Sequence, residues 1–313
     1  MRDAMHNDKP PASPIEPGLL PLAKAPDTIW KSIEAALDVK EKPSPFHWWQ
    51  FAAASFAILA IGAYWFATRP PKPSWEVARL DGSPSVGSRV LGDAGKLQVG
   101  EWLQTGASSR ARITVGNIGS VEVEPNTRVR LVTARPNENR LTLAHGEISA
   151  VVSAPPRLFF VDTPSSTAVD LGCAYKMKVD GDGTGLLRVT LGWVSLEWKG
   201  RESMVPAGAS CRTRHGVGPG TPFFDDAPEP WQQALTAFDF ASGGVDSLLA
   251  NARVRDTLTL WHLLSRVRTE DRQRVFDRMV QLVPLPASVS REKALQLDPD
   301  TLKLWREELA WKW

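Results

Sequence analysis

Arg112-Ile113-Thr114-Val115 and Arg128-Val129-Arg130-Leu131-Val132 alternate polar with apolar side chains. A period of two sends one set of side chains inward and the other into water, the signature of a half-buried β-strand. Runs of the same kind recur between residues 75 and 212, from Trp75–Leu80 through Phe159–Asp162 to Glu202–Val205, with Gly, Asn, Asp or Pro every eight to twelve residues. Many short strands at that spacing indicate an all-β domain, either a β-sandwich or a twisted β-solenoid. Two pairs of runs, one closing on Gly192 and one on His145-Gly146, have the spacing of tight hairpins.

Outward from this domain the pattern changes. Residues 213–229 contain His215-Gly-Val-Gly-Pro-Gly-Thr-Pro222 and the acidic Asp225 and Asp226, the composition of a linker. Residues 230–313 switch to a 3.6-residue period and predict an α-helical module with helices over Trp231–Asp239, Ser247–Ala252, Thr257–Val267, Glu270–Leu282, Arg291–Leu297 and Pro299–Trp311. Asp256, Thr269, Ser290 and Asp298 stand at the expected N-caps, with Pro299 at a first helical position.

Towards the N-terminus, Trp48–Ala67 reads WWQFAAASFAILAIGAYWFA, twenty residues without a charge and with aromatic residues at both ends. At about 1.5 Å rise per residue it matches the ~30 Å hydrocarbon layer, which predicts a transmembrane helix in contact with the lipid bilayer. A cleaved signal peptide is the alternative, but 47 residues precede the apolar run and no Ala-x-Ala site follows it at the right distance. Lys31, Lys40 and Lys42 on one side balance Arg69, Lys72 and Arg79 on the other, so charge leaves the orientation open.

Residues 1–47 begin Pro-rich and apolar-poor, too polar to bury a core. Within them Asp27 opens a short amphipathic helix over about residues 27–38, on which Ile29, Ile33, Ala36 and Leu37 share a face beside Trp30. With no core of its own, such a helix either docks into a partner, through Ile29, Trp30, Ile33 and Leu37, or lies on a membrane.

The chemistry classes thin out quickly. Lys and Arg number 37 against 35 Asp and Glu in 313 residues, which gives no electrostatic case for direct nucleic-acid binding. Asp180-Gly-Asp-Gly-Thr-Gly185 resembles the first half of a calcium loop, but position 12 is Leu191 instead of a bidentate Glu. A Gly-rich connection between two strands is the simpler reading. Ser290-Arg-Glu-Lys293 fits a loose Ser-x-x-Lys pattern without its companion motifs, so an N-cap is expected there. His6, His47, His145, His215 and His262 are dispersed over the chain, poor geometry for a metal or a triad. No catalytic, cofactor or metal residue is assigned, and no enzyme activity is expected.

Cys173 and Cys211 fall at predicted strand ends, 38 residues apart. Outside the cytoplasm a disulfide between them would contribute roughly 3–4 kcal/mol. Two buried free thiols are the alternative.

Seven segments, in order, resemble the FecR domain: Leu97-Gln-Val-Gly-Glu-Trp-Leu-Gln-Thr-Gly-Ala-Ser-Ser-Arg-Ala-Arg-Ile113, Val121-Glu-Val-Glu-Pro-Asn-Thr-Arg-Val129, Leu141-Thr-Leu-Ala-His-Gly-Glu147, Phe160-Val-Asp-Thr163, Val169-Asp-Leu-Gly-Cys-Ala-Tyr175, Val189-Thr-Leu-Gly-Trp-Val194 and Val205-Pro-Ala-Gly-Ala209. The resemblance implies a single-pass regulator of the bacterial inner membrane, with its N-terminus cytoplasmic and its C-terminus periplasmic. The N-terminal segment would bind an extracytoplasmic-function sigma factor, as an anti-sigma factor does, and the β domain would receive an envelope signal from a partner not yet defined. The segment is shorter than a usual anti-sigma domain and lacks a Cys/His zinc cluster. A membrane-tethered envelope scaffold without a cytoplasmic readout is the second expectation.

Overall fold

A computed structural model of the chain describes residues 26–37, 61, 62, 64, 65 and 73–313. The chain divides into two compact units, Met1–Pro70 and Pro71–Trp313. In the first, α1 spans Asp27–Leu37 and is exposed along its whole length. Most of the apolar stretch 48–67 lies outside the described residues, as does most of the Pro-rich start. Among the described residues no helix is long and apolar enough to cross a membrane.

The second unit is built on two sheets. One runs β4 (Ala94–Gln98), β1 (Ser74–Asp81), β6 (Arg110–Val115), β7 (Gly119–Val123), the latter half of β9 (Glu138–Val152), β12 (Ala174–Val179), β13 (Gly185–Leu191) and β16 (Ala209–Arg214). The other runs β3 (Arg89–Val90), β2 (Ser85–Val86), β5 (Trp102–Gln104), β8 (Arg128–Arg135), the first half of β9, β10 (Phe159–Asp162), β11 (Thr167–Asp170), β14 (Trp193–Trp198) and β15 (Arg201–Pro206). Strands β9 and β10 are parallel. Apolar residues of both sheets, among them Val77, Ile113, Val121 and Met177 from one and Leu103, Leu131, Leu141 and Val161 from the other, merge in one core. Of the two expected architectures the chain therefore takes the sandwich. Ile113 and Val115 face that core while Arg112 and Thr114 face water, as their alternation predicts.

Both expected hairpins are instead corners between the sheets. β9 runs unbroken through His145-Gly146, but its inward parity switches, from Leu141 and Leu143 to Ile148, Ala150 and Val152. Gly146 makes the switch with φ +96°, and a Cβ there would lie 2.2 Å from Thr127 Oγ1 and 2.4 Å from its Cα. Thr127 is fully buried, and its hydroxyl accepts a hydrogen bond from Glu147 N at 2.9 Å. At Gly192, φ is +71° and an added Cβ would meet Gly172 O at 2.1 Å. There β13 leaves one sheet, and β14 enters the other beside β11 and β15. A tight hairpin needs two central residues of suitable φ, whereas one glycine between strands only bends the chain.

The expected linker also belongs to the sheet. β17 (Gly218–Pro219) and β18 (Phe223–Phe224) pair with β16, and residues 218–224 are all buried. Gly and Pro mark a change of direction there and do not make a spacer.

Six α-helices follow: α2 (Glu229–Phe240), α3 (Asp246–Asn251), α4 (Thr257–Leu264), α5 (Thr269–Leu282), α6 (Arg291–Leu295) and α7 (Pro299–Leu309). Their apolar faces enclose a second core, with Trp231, Leu260, Phe276 and Trp305 in it. Asp298 accepts from Thr301 N at 2.9 Å and caps α7 behind Pro299. Ser290 accepts from Lys293 N and caps α6, so its hydroxyl has the role expected of it.

α4 joins the two cores, giving Leu258 to the first and Leu260, Leu263 and Leu264 to the second. His262 and Arg266, one turn apart, cover the free edge of β15. His262 Nε2 accepts from Met204 N at 3.1 Å, which leaves Nδ1 to donate to Leu258 O at 2.9 Å. Arg266 Nη2 donates to Glu202 O at 2.8 Å and to Ser203 Oγ at 2.7 Å, and Nη1 donates to Thr221 Oγ1 at 2.8 Å. An open strand edge invites another strand, and these two side chains satisfy it instead.

Candidate partner-binding surfaces

On α1 the predicted residues come together as one apolar stripe. Ile29, Ile33 and Leu37 repeat every four residues, and Trp30 stands beside Ile33 and Leu37 at spacings of three and seven. Their exposures are 48% for Ile29, 60% for Trp30, 43% for Ile33 and 79% for Leu37. The helix begins at Asp27, and Ser32 Oγ turns back to Ile29 O at 2.8 Å.

The cysteines do not come together. Both thiols are free and buried. Cys173 Sγ donates to Asp170 Oδ2 at 2.6 Å, while Cys211 Sγ donates to Gly220 O at 3.1 Å. Cys211 pairs with Leu187 on β13, and Leu187 with Met177 on β12, so Cys173 before β12 lies two strands away and further along. Two strand spacings alone are about 10 Å, beyond the ~7 Å Cα limit of a disulfide. The expected bridge is therefore absent, and the alternative of two buried thiols holds. Burial pushes the Cys211 thiol up to about 12 and the Cys173 thiol higher. Native protein is thus expected to leave both thiols unmodified by a thiol-specific reagent at neutral pH, and denatured protein to react at both; an unreactive denatured chain would restore the bridge.

Asp180–Thr184 is the loop of the β12–β13 hairpin, and Gly185 opens β13 opposite Val179. Asp182 Oδ1 accepts from Thr184 N at 2.8 Å and Oδ2 from Thr184 Oγ1 at 3.0 Å, so its carboxylate closes the turn. Among the described residues no group of three or more His, Cys, Asp or Glu could hold a metal. His145 and His215 each contact a backbone carbonyl, of Asn126 and Pro164 respectively. His262 is the one whose role the pattern did not announce. Its signal was a polar ring inside the apolar run Leu258–Leu264.

Residues 101–195 match the family FecR, described as FecR protein. This stretch is a FecR domain. It opens just before β5 and closes within β14, so the sandwich extends beyond the matched FecR segment at both ends, through β1 to β4 and through β15 to β18. Two crystal structures, at 1.65 and 2.50 Å, of a protein from Parabacteroides distasonis ATCC 8503 provisionally described as an anti-sigma factor are similar to the chain. The identities are 18% and 17%, and the TM-score is 0.36 for each. In both cases 44% of this chain and 63% of that one are covered, so the chain spans less than two thirds of those neighbours. No curated protein matches the chain.

Proposed function

We propose that the chain is a membrane-anchored FecR-like signalling regulator whose N-terminal helix α1 binds an extracytoplasmic-function sigma factor in the cytoplasm. Residues 48–67 anchor it in the bilayer of the inner membrane, and the sandwich with its helical module receives an envelope signal on the periplasmic side. The observation that carries this reading is the FecR domain at residues 101–195, on a chain whose N-terminal helix α1 offers an apolar stripe and has no buried residue. A stripe of Ile29, Trp30, Ile33 and Leu37 is a helix-in-groove ligand, read at spacings of three and four. Its tryptophan is the residue type that most often anchors an interface.

The test is affinity capture with the full chain from solubilised host membranes, compared with an Ile29→Asp, Trp30→Asp, Ile33→Asp variant, the bound proteins being identified by mass spectrometry. Recovery of a sigma factor with the native chain alone is the expected result. Equal recovery with the variant, or no sigma factor with either, would turn the reading to the tethered scaffold.

A further inference from the structure

We propose that one rim of the sandwich is a lipid-facing surface, carried by Val151, Leu191, Trp193 and Trp311 with Lys312 and Arg135 beside them. The inference rests on the reading of residues 48–67 as a membrane anchor and adds a second contact with the same bilayer.

The sheet register locates the rim. Glu76, two residues into β1, stands opposite Thr114; Thr114 faces Ser120, Ser120 faces Val151, Val151 faces Ala174, and Ala174 faces Leu191. That row crosses the sheet from the place where the chain enters it to the Gly192 corner. Outward-facing positions in this sheet include Arg112, Lys176 and Lys178 and the half-buried Leu186, whereas Val151 is 58% and Leu191 66% exposed. Just past the corner, Trp193 packs on Trp313 with ring centroids 6.0 Å apart, and the Trp313 indole donates to Thr257 Oγ1 at 3.1 Å. This pins the C-terminus to the same rim and leaves Trp311 89% exposed next to the exposed Lys312. Arg135, the last residue of β8, lines a surface groove with Pro73 and Ser74 and has no ion-pair partner among the described residues.

Indole, aliphatic and cationic side chains on one rim are the chemistry of a membrane interface, where the rings sit at headgroup level and the cations meet anionic lipid. Chain length agrees. Six residues, 68–73, separate the apolar stretch from β1, and they reach at most about 20 Å. The opposite rim carries Asp180 and Asp182 in its β12–β13 turn, with Lys178 paired to Asp180.

The experiment uses the full chain reconstituted in vesicles of phosphatidylcholine and phosphatidylglycerol. A fluorophore is attached through Leu191→Cys or Trp311→Cys, with Gly181→Cys in the opposite turn as reference, since both native thiols are buried. Lipids bearing a headgroup-level nitroxide should quench the probes at 191 and 311 about threefold more than the probe at 181, as expected for groups at the interface. Equal quenching at all three positions in protein that resists carbonate extraction would overturn the lipid-facing rim and leave the anchor standing. Protein released by carbonate would overturn the anchor, and the rim with it.

Discussion

Gly146→Ala is expected to destabilise the sandwich unit by about 3–5 kcal/mol, read as a fall in Tm of roughly 10 °C. Two costs add. At φ +96° alanine is strained, and its Cβ would come within 2.4 Å of the backbone Cα of Thr127, which cannot swing aside as a side-chain tip could. Moving Thr127 also opens the hydrogen bond that its hydroxyl accepts from Glu147 N, and an unmet buried amide costs about 1–3 kcal/mol. Gly181→Ala is the matched control, with nothing within 4 Å of the added Cβ, and its Tm should hardly move. Equal Tm values for the two variants would mean that β9 does not turn its corner at Gly146.

The second large effect is acid sensitivity at the join between sandwich and helices. Burial, with Arg266 adding to it, pushes the His262 imidazole down from 6.5 to about 3. The unfolded chain therefore binds a proton that the folded chain refuses between those values. Stability is fully present above about pH 6.5 and falls as the pH drops towards about 3, by up to ~1.4 kcal/mol per pH unit and on the order of 5 kcal/mol in all. Protonation would also take away the lone pair to which Met204 N donates at 3.1 Å, so the edge of β15 opens as the charge arrives. Urea unfolding at pH 7 and pH 4, followed by tryptophan fluorescence, should show this loss in the native chain and a smaller one in His262→Gln, which keeps an acceptor and does not titrate. The same loss in both would place the acid sensitivity elsewhere.

These two positions also mark where the sequence stops being legible. Alternation located most of the strands, because half-burial imposes a period of two whatever the topology. Caps located α6 and α7, since Ser290 and Asp298 hydrogen-bond within their own turn, whereas the expected caps Asp256 and Thr269 make no such bond at α4 and α5, and α5 begins at Thr269 itself. A glycine between two strands carries no such local instruction. Gly192 and Gly146 allow a hairpin or a corner alike, and the choice is made by what packs across them, Gly172 and Thr127. The Gly-Pro stretch before α2 announces turns but not that residues 218–224 would be buried beside β16. Cys173 and Cys211 invited a bridge by number alone, and only strand order separates them. His262 and Arg266 act on a strand some sixty residues earlier, a relation invisible to local pattern. The stripe of α1 was legible throughout, as it needs no partner within the chain to be recognised.

If the α1 stripe is the docking element, an equilibrium titration will register its loss. The sigma factor recovered by the native chain would be titrated against the full chain in detergent micelles, with Ile29→Asp, Trp30→Asp, Ile33→Asp as the comparison. Loss of an anchoring tryptophan and two apolar neighbours should weaken binding by about 100-fold or more. Unchanged affinity would place the contact away from the α1 stripe.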